Sequence, residues 1–211
     1  IEDVGGELNA YTTKEETTLF STFLAEFYDR TAELLSDILF NSTYPEKEIN
    51  REKEVVYEEI NSYKDSPSEL IFDEFEELVY AGHPIARNIL GTRKNLSRFN
   101  RKTILNFIDK NYHTDQMVIS SVGKIDFAKL VKLIEKYFGS AENNLRLNGR
   151  QRFDNYVPGI RILEKDTFQS HCVLGNVAYD IQHPKRITMV LLNNIIGGQA
   201  MNSRLNMALR E

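Results

Sequence analysis

From Ile49 to Tyr63 the chain reads Ile49-Asn50-Arg51-Glu52-Lys53-Glu54-Val55-Val56-Tyr57-Glu58-Glu59-Ile60-Asn61-Ser62-Tyr63. At about 3.6 residues per helical turn, Glu52 and Glu59 fall on one face, two turns apart. Ile49, Val56, Ile60 and Tyr63 share that face, so the stripe carrying both carboxylates is expected to point inward. A buried carboxylate is costly unless it is paired or bound to a cation. Glu52 and Glu59 are therefore candidates for a metal ligand or an acid/base group. The segment is also dense in acids: Glu46, Glu48, Glu54, Glu58 and Asp65 surround the pair. At that density two acids fall on any stripe, so the residues alone leave a solvated acidic face open as well. A catalytic zinc needs about three protein ligands, more than this helix supplies.

The other reactive residues do not complete a set. The histidines are His83, His113, His171 and His183, and no two are four apart. Neither H-E-x-x-H nor H-x-x-E-H occurs. His83 and His183 precede prolines and read as loop residues, while His113 follows a helix end, where a histidine suits the macrodipole. Cys172, the single cysteine, sits among apolar neighbours and reads as a buried strand residue. Gly197-Gly198 lacks the Lys-Ser/Thr of a phosphate-binding loop and reads as a helix boundary.

The elements that position these residues follow from periodicity. Gly5-Gly6 predicts a turn into a strand over 7–13, and residues 17–25 predict a second strand. Helices are expected over 28–41, 45–65, 66–80, 100–111, 126–138 and 184–196. Ser66 with Glu69 has a capping-box pattern, Asn100 a cap with a Phe99–Ile104 staple, and Ser203 a final cap. Further strands are expected over 117–122, 160–164 and 170–179. Strands and helices mix without strict alternation, which predicts an α+β fold with antiparallel pairing. Residues 140–157 are polar and aperiodic and read as a linker. The expected division is a first domain over 1–139, that linker, and the start of a second α+β domain over 158–211.

The chain has 211 residues with 41% hydrophobic and 27% charged content. That excludes a disordered tail, and one cysteine excludes a disulfide framework. No apolar run approaches the roughly 18 residues of a membrane span. The net charge of -5, with dispersed basic residues, argues against a nucleic-acid partner. The chain opens on Ile1 and ends in a helical pattern, as a piece of a longer protein would.

In order, the segments Gly5-Gly6-Glu7-Leu8-Asn9-Ala10-Tyr11-Thr12, Glu16-Thr17, Glu52 to Ile60, Asp65-Ser66-Pro67, Gly82-His83-Pro84, Ile89-Leu90-Gly91-Thr92, Asn111-Tyr112, Met117-Val118, Val122-Gly123, Gly197-Gly198 and Ser203-Arg204-Leu205 resemble the pitrilysin/insulinase family (peptidase M16) of zinc metallopeptidases. Each is short, but their order and spacing are specific and span nearly the whole chain. The resemblance implies a half-clam peptidase domain in which Glu59 is the third zinc ligand and Glu52 supports the site by orienting a ligand. It implies that the strand carrying Asn9 and Ala10 lines the substrate cleft and pairs with the peptide backbone. The family's H-x-x-E-H, with two His ligands and the general base, would lie before Ile1. The parent is then expected to be a Zn2+-dependent endopeptidase acting on peptides or unfolded chains, and this fragment inactive. The alternative is a non-catalytic, structural or substrate-presenting subunit. The resemblance also implies pairing, as a homodimer or with a second half-clam.

Overall fold

The computed structural model describes residues 1–146 and 149–210. The chain folds as α+β, with one antiparallel hairpin set against a series of helices. The hairpin joins β1 (Glu7–Thr12) to β2 (Thr17–Thr22), in register from Glu7 opposite Thr22 to Thr12 opposite Thr17. It starts where the double glycine requires it. Gly5 has φ +75°, a conformation that side chains resist, and a Cβ on Gly6 would sit 2.8 Å from the Thr22 carbonyl oxygen. β2 ends earlier than the apolar run suggests, because residues Ala25–Phe27 turn into a single 3-10 helix leading to α1 (Tyr28–Phe40).

Next come α2 (Glu46–Lys64) and α3 (Pro67–Val79), then α4 (Arg93–Leu96), α5 (Arg101–Asn111) and α6 (Phe127–Phe138). Further on are α7 (Arg186–Gly197) and α8 (Arg204–Arg210). The caps obey local chemistry. Asn100 accepts from the Thr103 N–H at 3.0 Å, and Thr103 Oγ1 accepts from the Asn100 N–H at 2.9 Å, a reciprocal box. Asp126 caps α6 through the Lys129 N–H. Ser66 departs from its expected role: its side chain makes no cap bond and lies 3.4 Å from Ser68 Oγ, leaving Pro67 at the start of α3 to set the entry. Ser203 precedes α8 with a buried hydroxyl that has no partner among the described residues.

The buried apolar side chains are few: Ala32 on α1, Ile49 and Ile60 on α2, Val79 on α3, Ala86, and Leu96 on α4. α2 packs against α3 and α4. α1 and α6 form a second seam. Phe40 meets Phe138 edge-on at 6.0 Å, and at its other end Asp29 accepts from Lys136 Nζ at 3.0 Å and Tyr137 Oη at 2.8 Å.

Three expected strands are absent. Residues 117–122, 160–164 and 170–179 carry no regular secondary structure. A strand needs a ladder partner, and none lies beside them among the described residues. Their β-formers stay in solvent: Val118, Val122, Ile160 and Leu174 are each at least 90% exposed. Cys172 is exposed for the same reason, not buried. Residues 140–157 lack helix and strand as expected, residues 147 and 148 lying outside the described set. They are nonetheless fastened down. Phe153 packs on the rings of Tyr80 and His83, and the Asn144 N–H donates to Thr114 Oγ1.

A candidate peptide cleft between β1 and α2

α2 is anchored at both ends. Glu46 accepts from the Arg101 N–H at 2.9 Å. Near the other end, Arg93 donates to Asn61 at 2.9 Å while its guanidinium lies 4.9 Å from the Tyr57 ring centroid. Ile49 and Ile60 turn into the core, and Val56 and Tyr63 are half-buried. Glu52 and Glu59 are exposed, so the expectation that both point inward is corrected. They sit on the border of the apolar stripe, where a carboxylate keeps its water.

That border faces a cleft of about 1150 Å³. Glu48, Glu52, Val56 and Glu59 of α2 form one wall, and Ala10 and Thr12 of β1 line the same space. Ile89, Leu90, Leu96 and Phe99 supply apolar lining, and the 41–45 loop adds to it. In that loop Tyr44 adopts φ +49°, a left-handed conformation a tyrosine rarely takes. Acid dominates the charge, with Asp37, Glu48, Glu52 and Glu59 against Lys53. Glu48 is partly spent on Arg51, at 3.2 Å.

Glu52 and Glu59 share the cleft but do not converge. Seven residues of helix separate them by about 10 Å along the axis, and helical side chains lean the same way. One ion at a bond length of about 2 Å cannot touch both. Among the described residues no three His, Cys, Asp or Glu side chains lie close enough to hold a metal. The residues present thus do not by themselves make a zinc site, and no catalytic step is derived through one.

The two strand residues have different places. Ala10 lines the cleft, whereas Asn9 does not. Asn9 Oδ1 instead accepts from the Ala10 N–H at 2.8 Å. The Thr13 N–H donates to the Glu16 carbonyl at 2.8 Å, which continues the hairpin ladder through alternate residues. By that alternation Asn9 and Tyr11 bond inward to β2, while Leu8, Ala10 and Thr12 turn their backbone groups to the free edge. No local pattern signals that Asn9 occupies the outward N–H of its neighbour.

A free strand edge beside a carboxylate-bearing helix, with a cleft between them, defines an α+β domain that can receive an extended chain. The match to known proteins makes the class definite. Residues 1–93 match the model described as Insulinase (Peptidase family M16), and residues 98–211 match the one described as Peptidase M16 inactive domain. The chain belongs to the M16 peptidase family. It is 34% identical to the uncharacterized zinc protease YmxG of Bacillus subtilis over 99% of this chain and 50% of that protein. It is 32% identical to the probable mitochondrial-processing peptidase subunit beta of Schizosaccharomyces pombe over 93% of this chain and 44% of that protein. The crystal structure of a peptidase M16 inactive domain from Pseudomonas fluorescens superposes with a TM-score of 0.78 over 99% of this chain and 51% of that one, at 16% identity. The chain spans about half the length of the curated relatives it matches. No helix among the described residues is long and apolar enough to cross a membrane.

Proposed function

We propose that the chain is the peptide-receiving part of a zinc endopeptidase. The observation that carries this reading is that Ala10 and Glu59 line one cleft. A substrate in extended form adds to the free edge of β1, which reads backbone rather than sequence. For it to pair there, Asn9 must release the Ala10 N–H. Glu59 supplies one metal ligand. Glu52, too far along the helix to share the ion, orients another ligand or the incoming chain. The two further ligands and the general base come from outside these residues. A zinc held with those outside ligands would supply Lewis-acid chemistry, polarising a carbonyl and lowering the pKa of a bound water. The chain alone therefore holds no stoichiometric zinc and cleaves nothing.

The names of the relatives support the peptidase reading. We assign residues 1–139 to the first domain, 140–157 to a linker and 158–211 to the start of a second. The two family matches meet between residues 93 and 98, inside the first of these units. Pairing with a second half-clam, from another copy or a relative, would enclose the cleft. A second reading is a non-catalytic subunit that presents substrate; the family model matched by residues 98–211 is described as an inactive domain. One experiment separates the two. The intact parent is assayed for zinc content and for cleavage of an unfolded polypeptide, beside its Glu59→Gln variant. Zinc-dependent cleavage lost in the variant supports the peptidase. A parent that holds no zinc and cleaves nothing is the non-catalytic subunit.

A further inference from the structure

We propose that Lys14 is a positioning residue that clamps the free edge of β1 to the loop at residues 87–90, and so sets the width of the cleft. The proposal rests on the peptide-binding reading above. Lys14 lies in the turn between β1 and β2, where a lysine ordinarily reaches into water. Here its side chain is only 21% exposed. Its Nζ donates to the Arg87 carbonyl oxygen at 2.7 Å and lies 3.3 Å from Glu76 and 4.0 Å from Asp73. The turn is stiffened from within, since Thr13 Oγ1 accepts from the N–H groups of Glu15 and Glu16.

The contact continues into the cleft wall. Asn88 Nδ2 donates to Asp73, and Asn88 Oδ1 accepts from the Leu90 N–H at 2.8 Å. Leu90 and its neighbour Ile89 line the cleft, as do Ala10 and Thr12, four and two residues before Lys14. One polar knot on α3 thus holds both a strand edge and the loop beside it. Backbone pairing tolerates N···O distances of only about 2.7–3.2 Å, so a small drift of the edge loosens a peptide lying on it. Asp73 is partly buried, and losing the facing ammonium would leave its carboxylate under-compensated. The knot is far from Glu52 and Glu59 in role: it touches neither and acts on geometry alone.

The test uses the whole chain, without metal, and its Lys14→Met and Lys14→Arg variants. Methionine keeps the length and apolar stem but loses the donors, whereas arginine keeps charge and donors. The probe is a fluorescein-labelled, unstructured alanine-serine peptide followed by anisotropy, with amide hydrogen exchange read in parallel. Expected is about tenfold weaker peptide binding in Lys14→Met, faster exchange at the Leu90 amide, and recovery of both in Lys14→Arg. Unchanged exchange across residues 85–91 in Lys14→Met overturns the clamp, whatever the peptide does. Faster exchange with unaltered peptide affinity overturns its role in setting the cleft. Should the parent chain bind no peptide while exchange still depends on Lys14, the clamp stands as a feature of the hairpin and the peptide reading fails.

Discussion

Ala10 on β1 and Glu59 on α2 line the same cleft, one through a strand edge with outward backbone groups and the other through a carboxylate. An extended chain laid on that edge would pass the carboxylate. The expected behaviour of variants follows from which of the two is disturbed.

Ala10→Pro removes the outward N–H. Proline is tolerated on an edge strand where that group faces away from the partner strand. In the intact protein, KM for an unfolded substrate should rise about tenfold or more, while circular dichroism and zinc content stay as in the parent. An unchanged KM would mean that the peptide does not pair at this edge.

Glu59→Gln and Glu52→Gln should differ in kind. On the reading proposed above, the first removes a ligand and should strip zinc as well as activity. The second should keep most of the zinc and lower activity roughly 10- to 100-fold, the usual cost of losing a group that orients a ligand. Metal analysis beside turnover separates them. Equal zinc loss in both variants would overturn the separate roles drawn from their spacing.

Ile60, 5% exposed, sits beneath Glu59 on the core side of α2. Its truncation to alanine should cost about 2–4 kcal/mol, the range for a buried isoleucine that leaves a cavity. Chemical denaturation measures this. A change below about 1 kcal/mol would show that α2 is not held from this side.

The seam between α1 and α6 should weaken in acid. Hydrogen bonds from Lys136 and then Tyr137 hold the Asp29 carboxyl below its ordinary value, against a small opposing effect of desolvation. A carboxylate depressed in the folded state stabilises above its unfolded pKa of about 3.9, and the contribution fades as pH falls through the folded value. Thermal unfolding of the parent and Asp29→Asn should differ near neutral pH and converge as pH falls below the ordinary carboxylate range. A gap that persists in acid would assign the difference to something other than charge.

Much of the helical frame was legible in the residues. α2, α3, α5 and α6 fall within a residue or two of their expected spans, because each carries a 3.6-residue apolar stripe and most carry a cap or proline at the start. The hairpin was legible from Gly5-Gly6 and its β-branched runs. The strands expected over 117–122, 160–164 and 170–179 were not realised. Their residue types favour extended backbone, but a strand is completed by another strand, and that partner is nowhere in a local pattern.

The site divides in the same way. Sequence alone determined that Glu52 and Glu59 share a helix face, since a rise and a repeat per residue suffice to say so. It also carried the family resemblance, through the order of short motifs. Only the tertiary structure decided that these carboxylates lie at the edge of the buried stripe rather than within it, that Ala10 and not Asn9 lines the cleft, and that Lys14 reaches back to Arg87 and α3. Each of those depends on contacts between residues distant in the chain. Local periodicity sets which way a side chain leaves its own helix or strand, and packing sets what it meets.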